Sequence, residues 1–577
     1  MRIEKVNLCG FRNYSDTTIG FKSSTLIIGS NDVGKTNLIY GMRLLLDKSL
    51  SDADIEPTET DFHISPTGIQ AKSFSITIHF CEVKEDAVLS VLKGHVSEQS
   101  STIFKLVAQL SNLEYQLYIG ATENDLELIS SRYYLRYINL RYINAQRNLQ
   151  KFIEKEKKVL LKVSRNELDD KDSTEDQILI TKIGKSLDDV NEKVRKLNYV
   201  KKSTALVNDE LKKIAHTLSN YEVHLDTGAI QVQQFIDNLK LRASNNGSKM
   251  LLGGDGRNNQ ILLALWTAKS QRELNSEDEV VFYCIEEPEA HLHPHQQRKL
   301  ADYLNNELYG QTIITTHSPQ ITARYSPDSI IHIVNRNSDS YAANGGCSDC
   351  ISDAWDNLGY RMSILPAEAF FSRAVLLVEG PSEKLFYTEL AEALSIDLDF
   401  YNISILTVDG VQFEVYVNVL DAMDIPWILR TDNDVSKITI KDKITGQDIE
   451  KRQVAGINRC LALANKEKMP HLDLNTTSKI LFDDGTWQNV SNIVNPMNIY
   501  LSKIDLEYDI SLELPHQLLE FSGKSSIDDA IKHLASKKAI RMREFLSKYR
   551  EELKNLRAGE LAKPLLDCLN HVTESEV

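Results

Sequence analysis

Apolar residues along this chain gather into short continuous runs, each stopped by a charged or glycine-containing turn. Thr25–Ile28, Val280–Ile285 and Thr312–Thr316 make a first block; Ala374–Val378, Ile403–Val408 and Pro426–Arg430 make a second. Runs of this length predict strands buried on both faces. In the second block a helix-like segment starts directly after Gly380, with Pro381 where a first helical turn accepts proline, and another follows Asp409–Gly410. The resulting β-α-β-α-β order predicts a parallel sheet with right-handed crossovers.

The remaining pattern is more varied. Residues 1–28 alternate in the manner of strands, with a turn over Gly10–Tyr14. Residues 103–145 mix strand-like stretches with a tandem, Leu135–Asn139 repeated as Leu140–Asn144, which reads as half-buried strand; its Arg and Tyr side chains could alternatively stack on bases. From about 150 to 220 the chain is charged and helical, with an acidic loop expected over Asn166–Asp176. Ile183, Leu187, Val190, Val194 and Leu197 are spaced four, three, four, three, a heptad seam that predicts a dimerising helical insertion. Residues 335–352 and 437–448 read as loops, 353–370 as a linking helix and 455–466 as a helix, while 466–498 carry little periodicity.

At 577 residues the chain has room for two or more domains. Apolar content of 42% and charged content of 26% fit an ordinary soluble protein, and the first residues lack signal-peptide form. Seven cysteines, with one close pair (Cys347 and Cys350), argue against a disulfide framework and for a reducing cytoplasm; a zinc ribbon would need a second pair. His291, His293 and His295 alternate without a fourth ligand and read as loop residues. A net charge of -16 excludes a broadly basic DNA-coating protein, but not a nuclease whose metals and local basic strips offset it.

Two constellations carry chemistry. Gly29-Ser-Asn31-Asp-Val-Gly34-Lys35-Thr36 lies between a strand and a helix that begins near Asn37. It is a complete phosphate-binding loop: backbone N–H groups wrap phosphates, Lys35 reaches the β/γ oxygens and Thr36 holds Mg²⁺, so ATP or another NTP is expected. In the second block Glu379, Asp432 and Asp434 follow strands of one parallel sheet, so they should converge at its carboxyl edge, where ligands bind. Carboxylates so placed repel unless a hard cation joins them, which points to Mg²⁺ or Mn²⁺. Asp505, Glu507 and Asp509 alternate and would share one face of an extended segment, and Lys537 and Lys538 open a basic helix-like run with Arg541 and Arg543.

The Glu379-Gly-Pro-Ser-Glu383 turn followed by the Asp432/Asp434 pair resembles a Toprim domain, the metal-binding module of topoisomerases, primases and certain nucleases. The phosphate loop, the acidic strand end Glu286-Glu287-Pro-Glu289 and Thr-His317-Ser-Pro together resemble ABC-type ATPase heads of the RecF and structural-maintenance (SMC) group. The wording around Glu286 is similar to the OLD (overcoming lysogenisation defect) family. That resemblance implies an α/β chain: an ABC-type ATPase head (1–150 and 246–352) with a helical dimerisation insertion (151–245), a linker helix (353–370) and a Toprim nuclease domain (371–577). It implies that Glu286 holds the Mg²⁺ water shell, Glu287 polarises the attacking water, and His317 senses the γ-phosphate. Arg147 falls where relatives carry a basic residue near the nucleotide. The segment Leu252–Arg257 stands where ABC relatives place their signature, here without its serine, which puts composite-site hydrolysis in doubt.

For the Toprim half the resemblance implies that Glu379, Glu383, Asp432, Asp434, Glu507 and Asp509 hold two divalent ions, and that Lys538 (alternate register Lys537) neutralises the scissile phosphate. The expected activity is metal-dependent cutting of double-stranded phage DNA in an anti-phage defence system. Nucleotide would control access or assembly, and the chain would form a homo-oligomer partnered by a UvrD-like helicase. A competing expectation is a RecF/SMC-like repair clamp whose Toprim is only structural. A topoisomerase would need a DNA-gate domain with a nucleophilic tyrosine, for which the chain has no room.

Overall fold

The computed structural model describes residues 1–574 except 144–148, 215–231, 233–235, 237–238, 240–241, 246–247, 252–260, 262–263, 266–278, 291, 307, 309, 338, 349–366, 409–412 and 442–447. Arg147, Leu252–Arg257, His291, Cys350, Asp409–Gly410 and most of the expected 353–370 helix therefore lie outside the described residues; at the end of that last span, Ala367–Phe371 is one short 3-10 turn.

The N-terminal half is two sheets clamped on the helix Lys35–Leu46. An antiparallel sheet takes Tyr14–Gly20, Arg2–Phe11, Ser73–Cys81, Thr102–Gln109, Glu114–Gly120 and Glu127–Ile129 in that order. The second sheet runs Asp339–Ala342, Ile330–Arg336, Ser24–Ile28, Thr312–Thr315, Val280–Glu286, Ile138–Ile143, with parallel pairing from Ile330–Arg336 onward. Its strands are nearly all buried, as continuous apolar runs require. The tandem is not one repeated strand: Ile138–Ile143, which takes the last two residues of the first copy and most of the second, pairs with Val280–Glu286, whereas Leu135 and Arg136 at the start of the first copy end the 3-10 turn Tyr133–Arg136. The expected loop after 335 is instead an antiparallel hairpin ending at Ala342, with Cys347 Sγ 3.8 Å from the Thr25 hydroxyl. Cys9, Cys81, Cys284, Cys347, Cys460 and Cys568 are all free thiols.

The helical insertion comprises Leu149–Asn166, Asp170–Arg195 and Asn198–Ile214. The acidic stretch after Asn166 is not a long loop. Asp169 caps the second helix by accepting from Asp172 N–H at 2.7 Å, so its acids lie in a first turn, where the helix dipole favours them. Of the heptad seam, Ile183, Val190 and Leu197 are exposed.

The C-terminal half holds a four-stranded parallel sheet ordered Ile403–Thr407, Ala374–Val378, Trp427–Thr431, Ile499–Leu501. The segment after Asp434 is a hairpin rather than a loop: Val435–Lys441 pairs antiparallel with Asp448–Val454. One apolar cluster runs from Leu26, Ile285 and Ile314 of the ATPase sheet to Val375, Leu406 and Leu429 of this sheet, so the two halves share a core. His332 Nδ1 lies 2.6 Å from Met423 O, and Arg336 pairs with Asp424 at 2.7 Å across the same junction. Among the described residues no helix is long and apolar enough to cross a membrane.

Candidate functional site

The nucleotide loop is built on backbone geometry that only glycine tolerates. Gly29 has φ 146, and a Cβ there would lie 2.4 Å from Ile333 O; Gly34, at φ 102, caps the helix Lys35–Leu46 with the Asn13 amide 2.0 Å from any added Cβ. Lys35 is buried and its ammonium donates to the carbonyls of Gly29 (2.9 Å) and Ser30 (2.7 Å). Burial pulls its pKa down to about 8, against Glu287, Asp32 and Glu286, which push it up. Those two carbonyls are weak substitutes for phosphate oxygens. Asn31 and Thr36 are exposed at the mouth. Asn37, expected with the loop residues to help bind the nucleotide, accepts from Arg12 at 2.8 Å and donates to Asn13 at 2.6 Å, so its side chain braces the loop.

Glu286, Glu287 and His317 converge on this loop, since the strands Val280–Glu286 and Thr312–Thr315 end side by side next to Ser24–Ile28. His317 Nε2 lies 3.6 Å from Glu287 Oε1, and burial together with Lys35 holds the imidazole below its usual pKa. Two residues that sequence reasoning missed fix this edge. Tyr142, in the second tandem copy, donates its hydroxyl to Glu286 Oε2. Glu289 accepts from the Thr316 hydroxyl (2.6 Å) and from His317 N–H (2.8 Å), locking the histidine loop. The Glu-Glu-Pro-Glu run held the signal for Glu289; nothing local marked Tyr142.

The second site lies at the carboxyl edge of the C-terminal sheet. Ala374–Val378 and Trp427–Thr431 are parallel neighbours, with Leu377 opposite Leu429, so Glu379 and Asp432 leave the sheet side by side. Asp432 N–H donates to Glu379 Oε1 at 2.9 Å, and the Thr431 hydroxyl donates to the same oxygen. Glu383 is buried in the first turn of the helix Pro381–Ala393, which starts at Gly380. Asp432 accepts from the Ser502 hydroxyl at 3.1 Å. Its pKa is pushed well above the usual carboxylate range, first by burial and then by Glu379, Glu383 and Asp505, with Arg430 opposing them. A divalent ion would relieve that crowding, and an all-oxygen donor set suits Mg²⁺ or Mn²⁺. Among the described residues, no three side chains already stand as a preformed metal cage.

The acids beyond Leu501 depart from expectation. They are helical rather than extended: Asp505 caps Leu506–Glu513 by accepting from Tyr508 N–H at 2.8 Å, and Glu507 and Asp509 lie in the first turn. Two residues apart on a helix is about 200° of rotation, so Glu507 and Asp509 do not share a face. Asp509 is committed elsewhere, to the buried Arg430 guanidinium at 2.7 Å and to Lys503 N–H at 3.2 Å, and burial raises its pKa to about 6. Asp505 is the member of this trio whose charge bears on Asp432. Asp434 remains half-exposed at the rim. Lys537 is exposed; Lys538 opens the helix Lys538–Lys548, which packs against Pro381–Ala393, but the Lys538 side chain lies outside the described residues.

A residue no pattern had flagged, Arg459, lies over the acids. Its guanidinium donates to Glu379 Oε1 and the Thr431 hydroxyl, and reaches Asp434 Oδ2 at 3.3 Å. The helix that carries it, Ala455–Leu463, is pressed on the acidic turn. A Cβ on Gly456 would meet Asp432 O at 2.1 Å, and Gly456 N–H donates to Asp434 O at 3.1 Å.

A P-loop ATPase sheet joined to a parallel sheet with an acidic carboxyl edge defines the class, and comparison with known proteins agrees. The AAA ATPase domain model matches residues 1–221 and 109–322, more than half the chain, and the overcoming lysogenization defect protein-like TOPRIM domain model matches 370–434. The chain belongs to the AAA ATPase family, in the OLD-type arrangement that joins this ATPase to a Toprim domain. It is similar to Endonuclease GajA of Bacillus cereus (strain VD045), 24% identical over 542 residues covering 88% of this chain and 89% of that protein. It is also 29% identical over 207 residues to the OLD nuclease of Thermus scotoductus, covering 34% and 39% of the two chains. Among solved structures, the Smc head domain derived from Pyrococcus furiosus matches at TM-score 0.38 and 15% identity, over 62% of this chain and 98% of that one.

Proposed function

We propose that the chain is a nucleotide-regulated, divalent-metal-dependent DNA endonuclease of an anti-phage defence system. The observation that carries this reading is the meeting of Glu379 and Asp432 at one buried sheet edge, within a chain similar to a named endonuclease over 88% of its length. Glu379, Glu383, Asp432 and Asp434, with Asp505, would hold Mg²⁺ or Mn²⁺. When bound, such ions supply charge neutralisation at the phosphate and polarisation of the attacking water. The chain's own contribution is to fix these carboxylates through Thr431, Ser502 and the Asp432 amide, and to keep Arg430 beneath them as counter-charge. Asp509, placed against Arg430, serves that counter-charge; Glu507 is buried in the same first helical turn, on another face. Lys538 would act as the electrostatic stabiliser of the cut phosphate.

The reading divides the chain into an ATPase head (1–150 and 246–352), a helical insertion (151–245), a linker (353–370) and a nuclease domain (371–577). The exposed apolar seam of Ile183, Val190 and Leu197 favours association through the insertion, giving a homo-oligomer, and a helicase subunit is the partner proposed for it. Nucleotide at Lys35 would regulate rather than drive the cut, because the two halves share one core that can carry a rearrangement of the loop to the Toprim sheet.

The test is nicking of supercoiled plasmid in Mg²⁺ or Mn²⁺, with and without ATP, by wild type and Lys35→Ala. Wild type should nick, and its rate should change with ATP severalfold in one direction. Lys35→Ala should nick at a rate indifferent to ATP. DNA-stimulated ATP hydrolysis without any cleavage would favour the repair-clamp reading instead.

A further inference from the structure

Arg459 stands where the nuclease reading puts a cation. Its side chain is 9% exposed, with Nη1 on Glu379 and Thr431, Nη2 toward Asp434, and the guanidinium carbon 5.6 Å from the Phe413 ring centroid. Nε is buried without a hydrogen-bond partner. An arginine side chain left with an unsatisfied buried N–H is held by its charge partners rather than by a full set of hydrogen bonds. The backbone makes the placement rigid: Gly456, three residues earlier, is pressed on Asp432 O and Asp434, so a helix turn aims Arg459 back over the acids. Glu379 Oε1 already accepts from Thr431, Asp432 N–H and Arg459, and a divalent ion would need that same oxygen.

We propose that Arg459 is a positioning residue that serves as the built-in counter-ion of the acidic rim. It holds Glu379 and Asp434 in register while no divalent ion is bound, and competes with the ion, so it sets the concentration at which the site fills. The inference rests on the reading of this cluster as a divalent-ion site. The physical basis is that two cations cannot both draw full interaction from one carboxylate pair.

The test uses the full-length, metal-stripped, nucleotide-free protein: wild type, Arg459→Gln, Arg459→Lys and Glu379→Ala. Mn²⁺ binding is followed by calorimetric titration, and thermal unfolding is measured in EDTA and in Mn²⁺. Losing one charge-assisted hydrogen-bonding competitor should tighten Mn²⁺ binding in Arg459→Gln by about tenfold. The same variant should melt lower than wild type in EDTA and gain more from Mn²⁺. Arg459→Lys, which keeps the charge but not the planar fork, should fall between. Unchanged or weaker Mn²⁺ binding in Arg459→Gln overturns the inference while leaving the nuclease reading intact. Should Arg459→Gln not fold, Arg459→Lys decides alone, and an affinity equal to wild type overturns it. If wild type and Glu379→Ala bind Mn²⁺ indistinguishably, the ion-site reading fails and takes the inference with it.

Discussion

Glu379→Ala is expected to reduce divalent-dependent plasmid nicking by about a thousandfold or more, equivalent to roughly 4 kcal/mol of lost transition-state stabilisation. The size of the effect follows from how much converges on one oxygen: Glu379 Oε1 accepts from the Thr431 hydroxyl, the Asp432 amide and Arg459. Its loss removes a charge from the rim and also the acceptor that sets the Asp432–Asp434 turn. The fold should survive, because Ala374–Val378, which deliver the residue, are fully buried and untouched, while the Glu379 side chain is 25% exposed. Nucleotide binding at Lys35 should be unchanged. Glu379→Gln separates the two losses: it retains an acceptor for the Asp432 amide but not the charge, so it should fold like wild type and nick like alanine. Nicking by Glu379→Ala within tenfold of wild type, measured on protein with a native unfolding transition, would remove the Toprim edge as the cutting site.

The second large effect is on stability. Arg430 is 3% exposed and pairs with Asp509 at 2.7 Å, with side chains 4% and 10% exposed. Removing one partner of a buried pair leaves the other charge uncompensated, which costs about 3–5 kcal/mol. Arg430→Met should therefore lower unfolding free energy by that order near neutral pH. The sign with pH follows from Asp509, whose pKa is raised to about 6, above its usual 3.8. The native state thus prefers protonated Asp509, and the stability this group contributes is present below about pH 4 and declines as pH rises through 6. In Arg430→Met the carboxylate loses its counter-charge and its pKa rises further. The deficit relative to wild type should be largest above pH 6 and shrink towards pH 4. Arg430→Met combined with Asp509→Leu should recover most of the loss, since an apolar pair leaves no buried charge behind. A deficit that is flat across pH 4–8 in denaturant titrations would mean that the pair is not the cause.

What the sequence disclosed divides along physical lines. Continuous apolar runs ending on Glu286, Glu379 and Asp432 were legible, because a doubly buried strand needs an unbroken run and its end is where the chain turns polar. The phosphate loop was legible because glycine is obligatory at positions such as Gly29 and Gly34. The Asp505–Asp509 segment was read as extended because an alternating acid pattern fits an extended segment and a capped helix start equally well. The Asp505-to-Tyr508 capping bond decides for the helix, and no periodicity over five residues could. The hairpin Val435–Lys441/Asp448–Val454 read as loop because its strands are largely exposed and mostly polar, with only a few isolated apolar positions such as Ile438, Ile440 and Ile449. Arg459 and Tyr142 were invisible for a different reason. Each acts on an acid far along the chain, 80 and 144 residues away, and only the folded register brings them into contact.

The central claim is that acids separated along the chain meet to grip divalent ions, and crystals of the protein soaked in Mn²⁺ test it most directly. Anomalous scattering should place Mn²⁺ within coordination distance of carboxylate oxygens from both Glu379 and Asp432, with Arg459 drawn back from at least one of its acids. Mn²⁺ found at the Lys35 loop alone, with the Toprim rim closed on Arg459 and devoid of anomalous signal at saturating metal, would contradict it.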